Sequence, residues 1–131
     1  MQITKYFSAE LMIYKITHQT GRNKHDDGDA GDSYKFTLIG TKTETQPATC
    51  FADRSRGRTD TCSIRDRADI GKLTGIRIVN KSNNRWRFVS MTVQINGITR
   101  GRHIGSVNVD DRQTVNQRLN YIGNYFIDRL Y

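Results

Sequence analysis

The chain has 131 residues, of which 35% are hydrophobic, and a formal net charge of +8. That length fits a single domain over residues 1–131, since halving it would leave each part short of buried surface. No apolar run approaches the ~20 residues of a membrane-crossing helix, and the excess of arginine favours anionic partners: nucleic acid, anionic lipid, sulfated glycan or an acidic protein face.

The chain opens with residues 1–9, an expected arm in which Met1, Ile3 and Tyr6 define no face. This N-terminus lacks the apolar core and cleavage site of a secretory signal, which leaves open a secreted protein without its leader and a cytoplasmic one. Glu10 to His18 is expected to form a strand, with Met12, Tyr14 and Ile16 on one side and Leu11, Ile13 and Lys15 on the other. A polar loop with Asp26, Asp27, Asp29 and Asp32 follows. It ends at a strand in which Tyr34, Phe36 and Leu38 alternate inward.

Gly40 to Ala48 is a turn region, Thr49 to Ala52 a short strand and Asp53 to Arg58 a basic loop. Thr59 to Ile64 is a strand with Cys62 and Ile64 facing one way. Asp66 to Leu73 suits a turn or a single helical turn, since Asp69 can cap and Gly71 can terminate. Gly75 to Asn80 is a strand presenting Ile76 and Ile78, and Arg85 to Asn96 is the longest. There Trp86 and Phe88 are even-numbered while Val89, Met91, Val93 and Ile95 are odd, so either both faces are covered or a bulge near Phe88 shifts the register. Asn96-Gly97 is a hairpin signal, and Ile98 to Val109 returns with Ile104, Val107 and Val109 partly inward. The C-terminal extension, 112–131, has Leu119, Ile122, Phe126 and Leu130 at helical spacing, yet Gly123 and its tyrosines suit a strand equally. Short strands divided by turns indicate an all-β antiparallel sandwich of two sheets.

Two cysteines, Cys50 and Cys62, are too few for a disulfide scaffold and lack zinc-ligand spacing. They are either a disulfide tethering a polar loop across neighbouring strands or two buried thiols. No serine sits in a GxSxG turn and neither cysteine has a histidine nearby in sequence, so the expectation is a protein that is not an enzyme. Calcium takes six to eight oxygen ligands, which carboxylates of Asp27, Asp29 and Asp32 with a backbone carbonyl such as that of Gly21 could supply in part. The alternative is a solvated acidic loop. Arg54, Arg56, Arg58, Arg85 and Arg87 recur at a spacing of two, which on a strand places guanidinium groups on one face.

In order along the chain, YKIT, TG, the Asp/Gly-rich loop, SYKFTLIGT, RGRTDTCSI, ADIGKLTGIRIVN and NRWRFVSMTV resemble the PLAT domain of polycystins, lipoxygenases, pancreatic lipases and clostridial alpha-toxin, over about residues 11–95. The resemblance implies a sandwich that binds rather than catalyses, standing alone, with loops at one end docking on membrane lipid or a partner protein, often with calcium. It adds Asn80 and Asn83 to the expected calcium ligands and makes Trp86 the family-position aromatic, while Lys81 stands near where the family has an aspartate and opposes a metal. The expected docking residues are Trp86 with Arg54, Arg56, Arg58, Arg85 and Arg87. The alternative is a secreted interaction or toxin-associated protein whose arginine-rich face recognises a polyanion, glycan or nucleic acid, or a protein.

Overall fold

The computed structural model describes residues 7–123, which contain nine strands and no helix. In chain order these are β1 (Phe7–Thr20), β2 (Tyr34–Gly40), β3 (Ala48–Thr49), β4 (Thr59–Ala68), β5 (Leu73–Asn80), β6 (Trp86–Ile95), β7 (Ile98–Val109), β8 (Thr114–Arg118) and β9 (Asn120–Tyr121). They pair antiparallel into a five-stranded sheet, β4-β1-β6-β7-β9, and a four-stranded sheet, β3-β2-β5-β8. The all-β two-sheet sandwich expected from the alternating strands is the architecture observed.

Period-two alternation places one face of each sheet in the core. Tyr14, Ile16, Cys62, Ile64, Trp86, Phe88, Met91 and Val93 of the larger sheet meet Tyr34, Phe36, Leu38, Ile76 and Ile78 of the smaller. Trp86 is the centre of an aromatic cluster, with the rings of His18, Tyr34 and Phe88 at 5.0, 5.2 and 5.1 Å between centroids.

Of the two causes open for the parity change in β6, the bulge is the one observed. Thr20 pairs with Phe88 but Gln19 with Ser90, so Val89 is an extra residue against β1 and the inward series passes from Phe88 to Met91. The opposing strand carries its own irregularity: Phe88 pairs with Val107 and Ser90 with Ile104, across Gly105 at φ 136. That insertion turns Ile104 outward, 76% exposed, which corrects the inward placement read from the sequence. The hairpin at Asn96-Gly97 forms with both residues at positive φ, 50 and 85, as a type I′ turn requires. Asp66 to Leu73 contains no helical turn: β4 continues to Ala68, and the Asp69 side chain accepts the Gly71 amide at 3.1 Å. The extension resolves toward strand at β8 and β9. Met1, Ile3, Tyr6, Phe126 and Leu130 lie outside the described residues.

Strand direction sorts the connections into two ends. Gln19 pairs with Thr59, Thr20 with Phe88, Tyr34 with Asn80, Val79 with Thr114 and Trp86 with Val109. The connections at 21–33, 50–58, 81–85 and 110–113 therefore gather at one end, called the loop end here. They hold most of the residues singled out from the sequence.

Candidate docking site at the loop end

The aspartate loop is folded back on the sandwich. Asp26 is buried, and its Oδ2 accepts from the Asn23 amide at 2.8 Å and from Arg87 Nη1 at 2.9 Å, while its carbonyl accepts the Arg87 amide at 3.0 Å. Gly28 lies so close that a Cβ there would stand 2.7 Å from the Trp86 ring, so glycine allows the loop to lie on the tryptophan. Trp86 is thereby wholly buried, with its Nε1 donating to Thr20 Oγ1 at 2.9 Å. Its expected docking role is corrected: the aspartate loop covers it, and Trp86 is a core residue.

Arg54 is the second correction. It is 0% exposed, and among the described residues no carboxylate bonds its guanidinium. Instead Nη1 donates to the carbonyls of Asp29 at 2.9 Å, Gly31 at 3.3 Å and Ala52 at 3.4 Å, and Nη2 donates to that of Cys50. The plane lies 4.2 Å over the Tyr34 ring and 5.5 Å from that of Trp86. Burial pushes its pKa down to about 10, which leaves it charged at neutral pH. The Arg54 backbone is left-handed, φ 60, and its amide donates to Asp60 Oδ2 at 3.0 Å. Burial raises the Asp60 carboxyl, and the bonds from Arg58 and the Arg54 amide outweigh it, so the group rests below its ordinary value. One guanidinium thus gathers carbonyls from the aspartate loop and from the β3–β4 connection, as a bound cation would.

The other arginines divide by role. Arg87 is tied to Asp26, and Arg58 Nε to Asp60 at 2.8 Å. Arg56 and Arg85 are exposed, take part in none of the ion pairs of the described residues, and border a cleft of about 700 Å³ with Lys24, Asp27, Asp29 and Asp111. The even spacing of the arginines in sequence does not survive as one face, because three of the five named serve to fasten loops.

The expected calcium ligands do not converge. The Gly21 carbonyl accepts the Gly57 amide at 2.9 Å, and Asn83 Oδ1 accepts from Arg112 at 2.9 Å. Asn80 is buried: its Nδ2 donates to the carbonyls of Asn84, Val109 and Asp110, and its Oδ1 accepts from the amide and hydroxyl of Ser82. It is the fastener of the 81–85 and 110–113 connections. Asp29 Oδ1 accepts from Asn84 at 2.5 Å, while Asp27 and Asp32 are exposed. Among the described residues no three carboxylates bring their oxygens within 4.8 Å of one another; the group that meets this spacing is His18, Cys50 and Cys62. This donor set, beside a buried guanidinium already holding the carbonyls, does not fit a calcium ion.

The two cysteines form a disulfide with Cα atoms 5.5 Å apart. It joins the edge of the smaller sheet, just beyond β3, to β4 at the edge of the larger, and so closes one side of the sandwich. His18 Nε2 lies 3.7 Å from Cys50 Sγ, and burial, then the Arg54 charge, push the imidazole down to about 4.

Next to Cys50 stands a residue that sequence reading missed. Phe51 is 68% exposed. Its main chain is fixed by the disulfide on one side and by the Gly31–Ala52 bridge on the other. The strand expected at Thr49 to Ala52 is instead β3 at Ala48–Thr49, and the chain beyond it runs along a sheet edge with Cys50 turned in and Phe51 turned out. The odd parity of Phe51 against inward Cys50 was the available signal.

Solved structures share this sandwich. A lipoxygenase loop-deletion variant superposes with a TM-score of 0.72 at 14% identity, covering 83% of this chain and 16% of its own. Coral 8R-lipoxygenase, described as activated by calcium through a C2-like domain, gives 0.70 at 14% over 82% of this chain and 17% of its own. Clostridium perfringens alpha-toxin gives 0.65 at 17% identity, over 84% and 32%. The fold is that of a PLAT-like domain. No family model and no curated protein matches the sequence. The PLAT-like chain spans about a sixth of the lipoxygenases and a third of the toxin, so these likenesses concern the sandwich and not the enzymes that contain it.

Proposed function

We propose that this PLAT-like domain is a non-catalytic module that docks on an anionic membrane surface through its loop end. Phe51 carries the reading: an aromatic ring held in water, on a backbone fixed by a disulfide and a bridge, at the end of the sandwich where Lys24, Arg56 and Arg85 are also exposed. Its transfer into the interface contributes ~1–2 kcal/mol, and each basic side chain near an anionic surface about 1 kcal/mol. Such docking is weak and reversible.

Docking in this reading needs no calcium at the loop end, because Arg54 already supplies the positive charge that gathers the loops. The disulfide suits an extracellular setting, and no helix of the described residues is long and apolar enough to cross a membrane. Co-sedimentation with phosphatidylserine vesicles tests the proposal. The wild-type protein pellets equally in calcium and in chelator, Phe51→Ser reduces binding about tenfold, and phosphatidylcholine vesicles bind neither. Binding unchanged by Phe51→Ser, or present only with calcium, contradicts it.

A further inference from the structure

The outward face of the five-stranded sheet is a second surface of different character. Register sets its side chains in rows: Thr61, Thr17, Thr92 and Arg102 form one row, Ser63, Lys15 and Gln94 the next, and Arg65 stands opposite Ile13 beyond them. Thr17 and Thr61 share a hydroxyl–hydroxyl bond of 3.1 Å. On the outward positions of β1 from Ile13 onward and of β4, β6 and β7 the ionised side chains are basic; Glu10, exposed on β1, stands beyond the register shift that precedes Met12, and the acidic residues of β4 lie off this face: Asp60 is buried, and Asp66 accepts the amides of Gln46 and Ala68. Lys15, Arg65 and Arg102 are exposed and take part in none of the ion pairs of the described residues.

Lys15 and Arg65 are diagonal neighbours on paired strands, at a Cα separation of roughly 7 Å where like charges repel. A face chosen only for solubility would interleave the signs. Here hydroxyls and amides stand between the cations at the centre of the face, with the exposed Ile13 and Ile104 at its margins. The face has no aromatic side chain at these positions, so it lacks the stacking platform by which single-stranded nucleic acid is held. A chain of hydroxyl-rich units bearing repeated negative groups complements it: planar and ammonium donors for the anions, Thr and Gln for the hydroxyls.

We propose that this sheet face binds an anionic polysaccharide, with Lys15, Arg65 and Arg102 taking its sulfate or carboxylate groups and Thr17, Thr61, Thr92 and Gln94 its hydroxyls. The surface is separate from the loop end and does not rest on the membrane reading.

Calorimetric titration with heparin, the sulfated probe, tests it. The triple variant Lys15→Gln, Arg65→Gln, Arg102→Gln is compared with Lys24→Gln, Arg56→Gln, Arg85→Gln, which removes the same charge from the loop end. All six side chains are exposed, and an unchanged thermal midpoint confirms folding. At about fivefold per side chain, the sheet variant weakens heparin binding on the order of a hundredfold and the loop variant by less than about fivefold. Absence of heparin binding by the wild-type protein, equal losses in the two variants, or thymidine oligonucleotides competing as well as heparin would each overturn the proposal.

Discussion

Replacing Arg54 by alanine removes the side chain that bonds carbonyls of both the aspartate loop and the β3–β4 connection, leaving only backbone bonds such as Gly31 to Ala52 and Gly57 to Gly21 between them. Four carbonyls, of Asp29, Gly31, Ala52 and Cys50, lose their charged donor. Each such bond is worth ~1.5–3 kcal/mol, but the guanidinium no longer has to be desolvated on folding, so the sum overstates the loss. Removing one member of a buried charged network costs ~3–5 kcal/mol, and the lost contact with the Tyr34 and Trp86 rings is contained in that figure. For a domain of this size the melting temperature falls by roughly 10–20 °C. Arg54→Gly makes an internal control. The backbone there is at φ 60, a conformation that costs a side-chain-bearing residue ~1–2 kcal/mol, so glycine is the less damaging of the two. Urea unfolding followed by the fluorescence of Trp86, 5.5 Å from the guanidinium, reads both variants. Alanine within 1 kcal/mol of wild type, or glycine less stable than alanine, would refute the clamp.

The remaining predictions concern the core beside the clamp. Since the His18 imidazole titrates near 4 when folded and near 6.5 when unfolded, the unfolded chain binds the proton first as pH falls. Stability is therefore full above about pH 6.5 and declines toward pH 4 by on the order of 3 kcal/mol. Melting temperatures across that range should slope in the wild-type protein and flatten in His18→Gln; an equal slope in both would mean that other groups carry it. Paired Cys50→Ser and Cys62→Ser substitutions should cost ~3 kcal/mol by releasing the unfolded chain, with near-ultraviolet circular dichroism of the aromatic cluster retained. No loss of stability would show that the edge closure is redundant.

The sandwich was legible because its signals are periodic and local. Alternation sorted the residues of β1, β2, β4 and β5 onto their faces, parity pointed to either two covered faces or a bulge near Phe88, of which the bulge at Val89 is the one formed, and Asn96-Gly97 named its turn. Of the two readings open for the cysteines, the disulfide across one polar loop is the one formed. What escaped was decided by contacts distant in sequence. Arg54 and Arg56 look alike in the sequence, yet one meets carbonyls from residue 29 to residue 52 and the other meets solvent. Asn80 resembles a free loop ligand until Val109 and Asp110 arrive from 29 and 30 residues away. Asp27, Asp29 and Asp32 are near in sequence, which left calcium ligation and a solvated acidic loop both open, but in space Asp29 turns to Asn84 while Asp27 and Asp32 are exposed. The tail was undecidable for a related reason: Val115 and Leu119 acquire a face only by lying beside β5.

The most direct test of membrane docking places a reporter at residue 51. In Phe51→Trp the native Trp86 stays buried and gives a constant background, so a change in emission reports the new ring. With phosphatidylserine vesicles containing brominated lipid and an excess of chelator, the account predicts blue-shifted emission quenched by the bromines. Emission that stays solvent-like, or quenching that appears only when calcium is added, would contradict it.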